Sequence, residues 1–102
     1  MKVIWSPLAL QRASDVVDYI SQDSPRAAGK WVTAIFRKVH RLSRFPKSGR
    51  PLRETHRPDL REIRHGSYRI IYRLRATQIE ILTLRHSKQL FPHRDLTLSP
   101  QL

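Results

Sequence analysis

Glu62, Arg64, Arg69 and His86 have the side-chain types that metal-free RNA cleavage requires. Internal attack by a 2′-hydroxyl needs a base for its proton, an acid for the departing 5′-oxygen, and cations beside the phosphorane. Glu62 or His86 would exchange the protons, and Arg64 and Arg69 would stabilise the charge. Residue types alone do not single this reaction out in a chain with 20 lysines and arginines. Other chemistries have less support. Three glycines form no phosphate-cradling loop and no dinucleotide fingerprint. With no cysteine there is no disulfide framework, thiolate zinc site or cysteine nucleophile. His40, His56, His65, His86 and His93 are scattered without an H-x-x-x-H pair, so neither a metal nor a cofactor is expected.

The chain has 102 residues, enough for one domain with one modest core. Against its 20 basic residues stand 8 acidic ones, a formal charge of +12 and a pI of about 11.4. A polyanion or a strongly acidic protein is the partner such a balance favours. The charge is uneven. Residues 1–23 hold Lys2 and Arg12 against Asp15, Asp18 and Asp23, whereas the rest of the chain holds 18 basic and 5 acidic residues. No apolar run is long enough to cross a bilayer, and Ser6, Pro7, Gln11 and Arg12 interrupt any signal-peptide core. A cytoplasmic protein without a membrane partner is expected.

Positioning these residues falls to a small α+β fold. Residues 1–5 read as a strand with Val3 and Trp5 on one side. Ser6-Pro7 then supplies a helix cap followed by proline at the first helical position. Ala9, Ala13, Val16, Val17 and Ile20 recur at helical spacing over residues 7–22. Ser24-Pro25 repeats the signal, and Ala28, Val32, Ile35, Val39 and Leu42 make a seam through a second helix over residues 25–44, stopped by Pro46. The two helices read as an antiparallel hairpin. Residues 45–59 are predicted as a loop, with three prolines and Lys47, Arg50, Arg53, His56 and Arg57. Three antiparallel strands follow over residues 60–86, and residues 87–102 read as an irregular tail. The order is β-α-α-β-β-β, with both helices on one face of the sheet.

Pairing the strands sharpens the site. A turn at Ala76-Thr77 sets Leu74, Tyr72, Ile70 and Tyr68 opposite Ile79, Ile81, Thr83 and Arg85 on the helix side. It leaves Arg73 opposite Glu80, with Ile71, Leu82 and Leu84, on the open side. A turn at Gly66-Ser67 sets Arg64 opposite Arg69 on that open face. His86 joins them by parity, with Lys88 beyond. Like charges directly opposite are destabilising unless something anionic lies between them. Arg64, Arg69, Arg73, His86 and Lys88 are therefore the candidate partner- or anion-binding residues. Ile71, Leu82 and Leu84 form a candidate protein-contact strip, unless the tail covers it through Leu90 and Phe91.

The ordered set of segments resembles the RelE/ParE superfamily of bacterial toxins, with the ParE-like branch favoured. The resemblance rests on Gly49-Arg50-Pro51, on LREIRHGSYRIIYR at 60–73 and on IEILTLRHSKQLF at 79–91. It implies the toxin half of a type II toxin–antitoxin module, held by a cognate antitoxin that covers apolar strips and neutralises arginines. The ParE-like branch implies a non-enzymatic inhibitor of DNA gyrase, and the run Leu84–Gln89 is similar to that branch's ending. The RelE-like branch implies a ribosome-dependent mRNA endoribonuclease, with Arg64, Arg69, Arg85 and His86 as candidates and Glu62 as base. No tyrosine follows Tyr72 to serve as a late acid or base, and Phe91 stands where one would be wanted. A plain nucleic-acid-binding module is a third possibility, marked by steep salt dependence without toxicity.

Overall fold

The computed structural model of the protein describes residues 1–87. Strand β1 (Lys2–Trp5) leads into helices α1 (Pro7–Asp23) and α2 (Pro25–His40), with a single 3₁₀ turn at Arg41–Ser43. A two-residue strand β2 (Arg50–Pro51) precedes β3 (Leu60–His65), β4 (Tyr68–Leu74) and β5 (Gln78–His86). The sheet order is β1-β5-β4-β3-β2. β1 runs parallel to β5, and the other neighbours are antiparallel. The α+β architecture is the expected one, with the helices packed against one face. Two details differ. The second α-helix ends at His40 and tightens into the 3₁₀ turn instead of continuing to residue 44. The expected loop contributes β2 as a fifth strand on the β3 edge.

The local signals act as their chemistry requires. Ser6 Oγ accepts from the Ala9 amide at 3.0 Å, and Ser24 Oγ accepts from the Ala27 amide at 3.1 Å. Each hydroxyl thereby satisfies one orphan donor of a helix that starts with proline. Ala9, Ala13, Ile35, Val39 and Leu42 meet Ile70, Tyr72, Ile79, Ile81 and Leu84 in the main core, and Val3 and Trp5 pack against it. This apolar layer holds the hairpin on the sheet.

The turn at Gly66-Ser67 is tight, with Gly66 at φ +57°, a backbone conformation that costs glycine little. It gives the expected register, with Glu62 opposite Ile71, Ile63 opposite Ile70 and Arg64 opposite Arg69. The turn at Ala76-Thr77 also behaves as expected, with Leu74, Arg73 and Tyr72 opposite Ile79, Glu80 and Ile81. Beyond that the ladder slips. Leu82 is an extra residue, and the pairs become Ile71–Thr83, Ile70–Leu84, Arg69–Arg85 and Tyr68–His86. A bulge moves every later side chain to the other face. It lies where β1 leaves β5, and Ser6 fixes the place. The Ser6 amide donates to the Ile81 carbonyl at 2.9 Å and its Oγ to the Leu82 carbonyl at 2.7 Å.

Candidate functional site

The bulge changes the membership of the basic cluster. Arg64, Arg69 and Arg85 now lie side by side across β3, β4 and β5 on the face away from the helices. His86, expected beside Arg69, instead lies on the helix side, its ring 5.8 Å from that of Tyr68. Tyr68 stands edge-on to Trp31 at 5.6 Å, and Trp31 in turn lies 6.3 Å from His65. Burial, with help from the nearby Lys38 ammonium, lowers the pKa of His65. Leu84 moves in the same way, leaving the expected contact strip for the main core.

The strip does not survive as an exposed surface. Ile71 and Leu82 do face away from the helices, but they are buried with Leu52 and Leu60 in a second apolar cluster. The segment between β2 and β3 folds back to bring Leu52 and Glu54 over this face.

Arg69 lies at the centre of the row and is fully buried. Its Nε donates to Glu62 Oε2 at 2.9 Å and its Nη2 to Glu62 Oε1 at 3.2 Å. Glu54 closes the other side, accepting from Nη1 at 2.6 Å and from Nη2 at 2.8 Å. The anion that an Arg64–Arg69 pair demands is thus supplied by the protein itself. Charge-assisted, two-pronged bonds of this kind are the strong ones, and they raise the pKa of Arg69, the Glu54 contact contributing most. Glu62 is as buried as its partner. The carboxylates and the guanidinium are thus one another's hydrogen-bond partners in the folded chain.

A second ion-pair group holds the opposite end of the face. Arg73 Nε donates to Glu80 Oε1 at 3.1 Å, while Arg75 and Gln78 both donate to Glu80 Oε2. Arg73, a candidate binding residue, is buried there and serves the sheet. Lys88, the tail, and the expected cover by Leu90 and Phe91 lie outside the described residues.

Open space lies elsewhere. A cleft of about 790 Å³ runs between the end of α2 with its 3₁₀ turn and the β2–β3 edge, lined by Lys38, Arg41, Arg50 and Arg64. Lys38 Nζ donates to the Arg64 carbonyl at 2.8 Å, which draws the end of α2 onto β3. Arg50 and Arg64 stand on either side of Glu62, each with Nε 3.8 Å from one of its oxygens. The lip of the cleft is pinned from below. Tyr72 Oη accepts from the Gly49 amide at 2.9 Å and donates to the Pro46 carbonyl at 2.8 Å. Only glycine fits at position 49, because a Cβ there would come within 2.5 Å of the Glu62 carbonyl and of Tyr72 Oη.

Sequence reasoning brought Arg64 and Arg69 together correctly and found Arg73–Glu80. It missed Glu54, a carboxylate in a basic loop whose partner only the folded chain supplies. It also missed Lys38 and Arg41, whose only signal was an excess of basic residues outside the helical seam, and it met Arg50 only within the Gly49-Arg50-Pro51 motif and the basic loop.

The protein's relatives agree with this architecture. Residues 3–91 match the family model for the ParE toxin of the type II toxin–antitoxin system parDE. The chain belongs to the ParE toxin family. A Sinorhizobium fredii relative named "Putative toxin Y4kP" is 36% identical over 93 residues, covering 89% of this chain and 93% of the relative. The solved chromosomal ParDE system of P. aeruginosa superposes with a TM-score of 0.72 over 86% of this ParE-family chain and 97% of that one, at 22% identity. The RelBE2 toxin–antitoxin complex of Mycobacterium tuberculosis superposes with a TM-score of 0.57 at 26% identity, covering 83% of this chain and 95% of its own. The ParE family and the RelE/ParE fold are therefore shared. Among the described residues no helix is long and apolar enough to cross a membrane.

Proposed function

We propose that this ParE-family toxin arrests bacterial growth in the cytoplasm by binding DNA gyrase, without nuclease chemistry of its own, and that a cognate antitoxin neutralises it. The observation that carries the reading is the clamp on Arg69. Arg69, the candidate cation at the centre of the row, is fully buried between Glu54 and Glu62. The candidate base is spent on that clamp, and His86 lies across the sheet beside Tyr68. RNA cleavage needs acid, base and cation around one open space, and these groups do not share one. Membership of the ParE family favours gyrase among the possible targets. The antitoxin follows from that family's place in two-component modules and from similarity to ParDE and RelBE2 assemblies. A formal charge of +12 is what an acidic antitoxin segment would meet.

Inducible expression tests the reading, with primer extension on abundant transcripts and plasmid topology taken from the same cells. Intact transcripts with relaxed or linearised plasmid are expected, and purified gyrase should lose supercoiling activity when the toxin is added. New codon-spaced 5′ ends with normal supercoiling would make the protein a ribosome-dependent nuclease instead.

A further inference from the structure

The clamp leaves a charge imbalance at its margin. Among the described residues Glu62 is the only carboxylate lining the basic cleft, and Arg69 already holds both of its oxygens within hydrogen-bond distance. Arg50 and Arg64, each at 3.8 Å, lie beyond that distance, with side chains 61% and 40% exposed. Lys38 and Arg41 add two further cations from the opposite wall. Four cations around one occupied carboxylate repel one another unless an outside anion enters. The cleft also has an aromatic ring. Phe45 lines it and is 59% exposed, so an aromatic face stands open beside the cations.

We propose that this cleft binds single-stranded nucleic acid, with the sugar-phosphate backbone on Arg50 and Arg64 and a base stacked on Phe45. A positive groove that follows the backbone, with an aromatic platform beside it, is the general solution for binding single strands without reading sequence. An acidic amphipathic helix fits less well. Such a helix needs a row of apolar pockets for anchors three and four residues apart, whereas Leu42 in the cleft is already committed to the main core and Phe45 is one ring. Binding here requires no acid or base, so it is independent of whether gyrase is the target.

The test uses the full-length toxin made by cell-free synthesis, titrated against a labelled oligothymidylate by fluorescence anisotropy at several salt concentrations. Arg50→Gln with Arg64→Gln should weaken binding at least tenfold. It should also flatten the slope of log affinity against log salt by about 1.4, from roughly 0.7 per lost phosphate contact on a single strand. Phe45→Ala should weaken binding about 5- to 150-fold with the slope unchanged, the range set by the loss of one stacked base. Arg26→Gln with Lys30→Gln, the same charge change at the start of α2, should leave the slope near that of the parent. Every substituted side chain is exposed, and a thermal melt of each variant checks the fold. Equal weakening by the two charge pairs would overturn the proposal and reduce the binding to net charge. Parent-like binding by Phe45→Ala would overturn it too. So would tighter binding of labelled poly-glutamate than of the oligonucleotide, lost with Arg50→Gln and Arg64→Gln, since that would give the cleft to an acidic polypeptide.

Discussion

The two faces of this sheet are buried by different means. Toward the helices, Ile35, Val39 and Leu42 close over Ile70, Tyr72, Ile79 and Ile81 in an apolar layer. On the other face four apolar residues, Leu52, Leu60, Ile71 and Leu82, form the centre. Ion pairs flank them, Arg69 with Glu54 and Glu62 at one end and Arg73 with Glu80 at the other. Apolar burial tolerates approximate geometry, because its free energy follows area and packing. Buried charge does not. Removing ions from water costs several kcal/mol each, and only well-placed partners offset that cost. The helix face is therefore built from interchangeable parts, whereas the charged face depends on individual residues.

The largest expected effect follows from that contrast. Arg69→Ala removes the buried cation between Glu54 and Glu62 and should cost about 3–5 kcal/mol, read from urea midpoints. Replacing the whole group by Arg69→Met, Glu62→Leu and Glu54→Leu should recover most of the loss, because apolar isosteres often substitute for a buried ion group. If the triple variant is no more stable than Arg69→Ala, the charged face owes its stability to more than this pairing.

Tyr72→Phe sharpens the comparison from the helix side. The ring stays in the core, but the Gly49 amide loses its acceptor and the Pro46 carbonyl its donor. The cost should be about 1–3 kcal/mol for groups left unsatisfied. Hydrogen exchange should show the lip around Gly49 opening while the amides of β4 and β5 stay protected. An unchanged lip would mean that the aliphatic layer alone holds it.

The smallest effect is a pH dependence. His65 has a lowered pKa in the folded protein, from burial first and Lys38 second. The unfolded chain therefore binds its proton more readily. Stability should fall as pH drops through the unfolded histidine value, about 6.5, and level off below the folded one. Between about pH 7.5 and 5 the parent should lose more stability than His65→Gln. Equal losses in the two proteins would assign the change to other groups.

Much of this could be read along the chain. Ser-Pro steps at residues 6 and 24 announce helices because a hydroxyl satisfies an orphan amide and proline needs none. The Gly66 turn fixes Arg64 against Arg69, and the Ala76-Thr77 turn fixes Arg73 against Glu80, because each turn counts residues within one hairpin. Such rules are local, and the sequence states them by itself. The fate of His86, Leu84 and Arg85 could not be read in this way. It depends on Leu82 bulging where Ser6, far away in the chain, takes its carbonyl. Nor could Arg69 be seen as clamped rather than free, since Glu54 reaches it from a loop with no periodicity to place it. Two helices, four of the five strands, two turn registers and an excess of positive charge are legible along the chain. The tertiary structure alone decided which arginines are buried in the protein's own ion pairs and which remain available to a partner. Spacing along a chain specifies neighbours within a hairpin, whereas the pairing of charges depends on which distant segments fold across them.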